Sequence, residues 1–158
     1  MIKTNVMRLL EQADIPFRAQ EYTVDEHDLS GTHAAAMLGQ PVEQVFKTLV
    51  ARGEKNGIMV FCIPVAEELD LKKAAVLTKD KKVEMVPMKE LLSLTGYIRG
   101  GCSPVGMKKK YPTWIDETAI LFDEIYVSAG VRGTQIIVNP EQLADYIKAG
   151  FADIIKDN

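Results

Sequence analysis

VFKTLVARGEKNGIMVFCIPV, Val45–Val65, is the stretch on which the fold turns. Two apolar runs, VFKTLVA (45–51) and IMVFCIPV (58–65), are separated by the polar RGEKNG. β-Branched and aromatic residues dominate both runs, and a short Gly- and Asn-containing spacer between them predicts a hairpin. Lys47 is the anomaly. Period-two alternation puts Val45, Lys47, Leu49 and Ala51 on one face, with Phe46, Thr48 and Val50 on the other. Both faces are mainly apolar, which predicts a central strand. A lysine there must snorkel, pair with a carboxylate or await an anion.

Outward from the hairpin, Val6, Leu9, Leu10 and Ala13 share a helical face with Thr4 as cap. FRAQEY (17–22) alternates like a half-buried strand, 23–31 is a polar loop, and THAAAML stops at Gly39 as a short helix. DLKKAAVL predicts a helix and KVEMV a strand. Pro87 opens a helix with Met88, Leu91 and Leu92 on one side. AILFD, EIYVSA and TQIIV read as strands. The last helix has Asn139 as N-cap, Pro140 at its first position and Gly150 just past its end. No repeat or linker interrupts the chain, so residues 1–158 are expected to form one domain. The expected class is α+β, a mixed α/β arrangement around one sheet, rather than a doubly wound nucleotide fold.

Nothing at the N-terminus resembles a secretion signal, and no segment nears the ~20 apolar residues of a membrane span. Cys62 lies inside an apolar run and reads as a buried thiol, so a reduced, cytoplasmic protein without membrane partners is expected. The net charge of −3 is unevenly spread. Leu71–Lys110 holds ten basic and three acidic residues, a local +7, while the rest carries −10. That points to a local polyanion contact or a solvated lysine-rich face, not to general affinity for nucleic acid such as DNA.

TGYIRGGCSPVGMKKKYPT (95–113) is the second unusual stretch. Gly100 and Gly101 allow close backbone approach to a ligand, and Pro104 holds Ser103 extended. Successive amides in such a loop can face phosphate or a developing oxyanion; a tight structural turn is the alternative. Cys102 as nucleophile would need a base, and the only histidines are His27 and His33. With Asp25 and Asp28 these histidines could be read as a metal site, but the spacing matches no standard signature. No phosphate-binding loop, nucleophile elbow or dinucleotide fingerprint is present.

VFKTLV, LDLKKAA, KKVEM, TGYIRGGCSPVGMKKKYPT, IYVSAGVRG and FADI, in this order, resemble the YbaK/EbsC proteins. These are freestanding relatives of the editing domain of bacterial prolyl-tRNA synthetases, and the resemblance runs from Val6 to Ile154. It implies a curved, largely antiparallel sheet flanked by helices. It also implies hydrolysis of misacylated tRNA(Pro), cysteinyl-tRNA(Pro) foremost, with the substrate thiol as nucleophile and no metal or other cofactor. An alanyl ester would need a water instead. A noncatalytic tRNA- or synthetase-binding module and a Cys102-dependent hydrolase are the rival expectations.

Carried over, Lys47 matches the family's strand lysine that holds the tRNA 3′ end, and Tyr22 and Thr48 line the same pocket. Gly100, Gly101, Cys102, Ser103 and Pro104 match the G-x-x-x-P loop whose amides face the scissile carbonyl, with Cys102 as wall. Ser30 and Gln135 are departures, standing where relatives carry an aromatic residue and an aspartate. Lys72, Lys73, Lys108, Lys109 and Lys110 are placed beside the acceptor stem. Prolyl-tRNA synthetase is the implied protein partner.

Overall fold

A computed structural model describes residues 1–158. The hairpin forms as the apolar runs demand: β2 (Phe46–Gly53) pairs antiparallel with β3 (Gly57–Pro64) over its whole length. The turn closes around a carboxylate. Asp80 accepts hydrogen bonds from the backbone N–H of Lys55, Asn56, Lys81 and Lys82, so hairpin tip and following segment are tied at one point. Gly53 is required there, because a Cβ would fall 2.0 Å from Asp80 Oδ2.

Around this hairpin the chain adds α1 (Asn5–Gln12), β1 (Phe17–Glu21), α2 (Gly31–Leu38), α3 (Leu71–Thr78), β4 (Val83–Met85), α4 (Leu91–Thr95) and β5 (Thr113–Asp116). It closes with β6 (Ile125–Ser128), β7 (Thr134–Val138), α5 (Pro140–Ile147) and β8 (Gly150–Ala152). Caps expected from sequence are made: Thr4 Oγ1 accepts from Met7 N–H and Asn139 Oδ1 from Gln142 N–H.

The expected single sheet is in fact two. One has strand order β1-β7-β6, the other β4-β2-β3-β5-β8, and only the isolated parallel bridge Val45–Tyr126 links them. The strand pairings are antiparallel except β3–β5 and β5–β8. The principal core, with Leu10, Phe46, Ile115, Val127, Ile136 and Leu143, packs both sheets against α1 and α5. A second core under the five-stranded sheet includes Phe61, stacked on Trp114 with ring centroids 5.6 Å apart. No helix is long and apolar enough to cross a membrane.

Three local expectations are corrected. AILFD is not a strand: residues 117–121 form a 3-10 turn, begun by the Asp116 carboxylate accepting from Thr118, and Leu121 points outward at 80% exposure. The Pro87 segment is a 3-10 turn (88–90) running into the short α4, with Met88 and Leu92 exposed. The final helix ends earlier than Gly150, where Lys148 takes a left-handed conformation, and Gly150 opens β8 instead.

The buried Asp116 carboxylate also accepts from Ile154 N–H at 3.2 Å, joining β5 to the C-terminal segment. Asp116→Ala strands the buried Ile154 N–H and the part-buried Thr118 donors. It is expected to lower stability by about 2 kcal/mol, read as a Tm roughly 4–8 °C lower in thermal denaturation.

Candidate active site

β2 is bordered unequally, and that creates the site. β3 covers one edge from 46 to 53, but β4 reaches the other edge only at 51–53. Val45 O accepts from Val65 N–H, whereas Val50 O accepts from Val86 N–H on the opposite side. Backbone groups of odd-numbered residues therefore face β3, and those of even-numbered residues face the other side, which is open at Thr48. The expectation of a central strand holds except around Thr48, where the edge between the Val45–Tyr126 bridge and the Val50–Val86 bond is unpaired.

A cavity of about 390 Å³ lies against that edge, within the range of small-molecule sites. Both faces of the strand reach it, which is why Lys47 and its neighbour Thr48 line the same space. The β1–α2 segment contributes Tyr22, Leu29, Ser30, Gly31 and Ala34; β6 and β7 contribute Ser128 and Gln135; Met85, Val86, Met88 and Leu91 close another side. Close packing of this roof needs Gly31, whose Cβ would sit 2.4 Å from Val65 Cγ1. No Asp or Glu lines the cavity.

Lys47 is half-buried, and its side chain makes neither an ion pair nor a hydrogen bond. Burial pushes its ammonium below the usual lysine range, opposed by the charges of Glu68 and Glu67. An uncompensated ammonium on an apolar strand is poised for an anion or another electron-rich group.

The glycine loop enters from α4. Gly100 has φ +85°, and Gly101 N–H is spent on Ile98 O in a turn. The following N–H groups, of Cys102 and Ser103, donate to no protein acceptor, while the Ser103 hydroxyl accepts from Val105 N–H. Arg132 Nε donates to Arg99 O at 2.8 Å, and Tyr97 hydroxyl to Val105 O, which together brace the loop. Of these two free amides, that of Cys102 belongs to a cavity-lining residue and can receive a developing oxyanion, with that of Ser103 next behind it.

Of the residues named from sequence, Tyr22, Ser30, Lys47, Thr48, Gly100, Cys102 and Gln135 converge on the cavity. Gly101, Ser103 and Pro104 are buried behind its wall. Ser30 also serves the fold as N-cap of α2, where its hydroxyl accepts from His33 N–H and donates to Asp28. Lys72, Lys108, Lys109 and Lys110 lie outside the cavity, and Lys73 is committed to Asp153, Asp157 and Ile155 O. The cation of that basic segment that does reach the cavity is Arg99. Ser128, Val65 and Arg99 were missed as lining residues. The register opposing Ser128 to Gln135 was the available signal for the first.

Cys102 is unsuited to nucleophilic attack. Burial pushes its thiol up to about 12, and no imidazole lines the cavity: His33 lies in a small adjoining crevice, 3.7 Å from Asp28. The acidic 25–33 stretch does not assemble three metal-ligating side chains.

Comparison with known proteins gives concordant matches. Residues 28–146 match a family described as the aminoacyl-tRNA editing domain. The chain is 47% identical over 152 residues to EbsC of Enterococcus faecalis, named as a candidate Cys-tRNA(Pro)/Cys-tRNA(Cys) deacylase. That alignment covers 96% of this chain and 93% of the relative. The crystal structure of a candidate trans-editing enzyme for prolyl tRNA synthetase superposes with a TM-score of 0.84 at 26% identity, covering 99% of this chain and all of the other. The hypothetical protein APE2540 has the same fold, with a TM-score of 0.87 at 22% identity over 96% of this chain and 99% of the other.

Proposed function

The chain belongs to the aminoacyl-tRNA editing domain family, and from that premise we propose that it is an aminoacyl-tRNA deacylase acting on misacylated tRNA(Pro), cysteinyl-tRNA(Pro) foremost. The whole of residues 1–158 serves as one editing domain, and prolyl-tRNA synthetase supplies selectivity for the tRNA. A proline pocket rejects amino acids of similar size poorly, so a second site that removes errors has a clear physical purpose.

The observation that carries this reading is the free amide of Cys102 in the same wall as the unpaired Lys47, with the equally free amide of Ser103 directly behind it. Positioning and charge stabilisation are supplied by the protein, and the nucleophile by the substrate. The cysteinyl sulfur, having lost its proton to solvent, attacks its own ester carbonyl carbon. The carbonyl oxygen becomes an oxyanion facing the loop amides. Collapse breaks the bond between carbonyl carbon and ribose oxygen, which takes a proton from water. The thiolactone that leaves is opened by water to free cysteine. Lys47 holds the terminal ribose and its phosphate at the cavity mouth, with Thr48 and Tyr22 beside it.

Deacylation of cysteinyl- and alanyl-tRNA(Pro) by wild type and Cys102→Ala tests this. The expected result is faster loss of the cysteinyl ester, with Cys102→Ala keeping most of the rate. Abolished activity in Cys102→Ala would move the nucleophile into the protein. Binding of tRNA without hydrolysis of either ester would leave a noncatalytic module.

A further inference from the structure

Gln135 Oε1 is the only buried side-chain nitrogen or oxygen of this protein without a hydrogen-bond partner. The residue is the second of β7, between Gln20 of β1 and Ser128 of β6, is 6% exposed, and lines the cavity. A sealed acceptor left unpaired destabilises a fold, and an apolar side chain of the same length would not carry that penalty. Oε1 is closed off in this conformation, and a turn of the amide would bring it to the cavity that the residue lines, where a donor on the ligand would satisfy it.

The rest of the lining narrows the donor. Ser30 and Ser128 hydroxyl oxygens already accept from His33 and Gly130 N–H, and the Thr48 hydroxyl faces Cys62 Sγ at 3.8 Å. The charged lining residues are Lys47 and the exposed Arg99, both cations, with no carboxylate present; Gln20 and Ser128, its strand neighbours, do not titrate in the physiological range. An ammonium would find no carboxylate in the lining, Glu68 and Glu67 acting from outside it on Lys47, whereas an uncharged amine needs only an acceptor. Gln135 is buried where Arg99 is exposed, so the aminoacyl end rather than the RNA backbone reaches it.

We propose that Gln135 is a specificity-determining residue that accepts a hydrogen bond from the α-amino group of the aminoacyl ester, taken in its uncharged form. This rests on the deacylase reading above. The last torsion of a glutamine is soft and two-fold, so the amide turns to present Oε1 without moving β7.

The test compares cysteinyl-tRNA(Pro) with its deamino analogue, the 3-mercaptopropionyl ester, which keeps thiol and carbonyl but lacks the amine. Wild type is expected to favour the cysteinyl ester in kcat/KM by roughly 10- to 100-fold. Gln135→Met should bring that ratio close to one, and Gln135→Glu, which retains an acceptor, should restore it. Because the methionine removes an orphaned acceptor, its Tm should rise by about 2–6 °C, which also establishes that the variant folds. An unchanged ratio in Gln135→Met, no preference in wild type, or a lowered Tm for the methionine variant would each overturn the proposal. Hydrolysis of neither ester by wild type would instead remove the deacylase reading, and this inference with it.

Discussion

Lys47→Met is expected to lower kcat/KM for cysteinyl-tRNA(Pro) by about 100- to 1,000-fold, while the protein melts at or above the wild-type temperature. The two halves of that result have one cause. The ammonium is half-buried on the open edge of β2, has no ion pair, and is held below the ordinary lysine range chiefly by burial. Folding gains nothing from it, because desolvation is offset only by the more distant Glu68 and Glu67. Methionine keeps the unbranched stem against the apolar wall and removes the charge. A lysine kept for structure would behave in the opposite way, its loss lowering Tm and sparing turnover. Single-turnover deacylation alongside thermal denaturation separates the two. The salt dependence of KM adds a further readout, since a contact to an RNA phosphate weakens with ionic strength. Full activity in a stable Lys47→Met protein would remove Lys47 from the site.

How much of this was legible in the sequence follows from which signals are local. The β2–β3 hairpin was legible because two long apolar runs and a polar spacer have few other solutions. Lys47 was legible as a contradiction, a charge inside such a run. Its consequence was not. The cavity exists because β4 stops at residues paired with 51–53, and strand pairing of that kind depends on Asp80 and the hairpin tip folding together. AILFD misled for a related reason: its apolar content suits a strand, but Asp116, buried one residue before the 117–121 turn, accepts from Thr118 and starts a tight turn. The basic segment shows the limit of counting charges. Lys73 contributes to the local excess, yet its ammonium is fully engaged by two aspartates and a carbonyl from the C-terminal segment. Arg99, one charge among ten in the count, is the one at the cavity. Sequence names the residues that break a pattern; the partners that explain them come from far along the chain.

Gly101→Val supplies the second large effect, and it separates the backbone loop from every side chain around it. The two glycines of the loop are needed for different reasons. Gly100 has φ +85° and space around it, the nearest atoms being the Arg132 side chain at 3.5 Å, so a side chain there costs conformational strain rather than a clash. Gly101 has an ordinary φ but no room. A Cβ would stand 3.1 Å from Arg132 N and Val131 C, and 3.2 Å from Val131 Cα. These are backbone atoms of the β6–β7 turn and cannot swing aside as a side chain does, so the loop itself must give way. Alanine requires a shift of a few tenths of an ångström; the branched valine requires more. Its neighbours in sequence are the free N–H groups of Cys102 and Ser103, which move with it. Preorganised donors lose most of their value when displaced, and a misplacement of about 1 Å costs on the order of 100-fold. The expected signature is therefore a roughly 100-fold lower single-turnover rate with a KM changed far less, because Lys47 and the cavity floor are untouched. Gly101→Ala should fall between valine and wild type. A graded loss of rate across glycine, alanine and valine, at nearly constant KM, identifies stabilisation of the oxyanion by the loop backbone. A valine variant that folds and turns over normally would place the oxyanion elsewhere in the cavity.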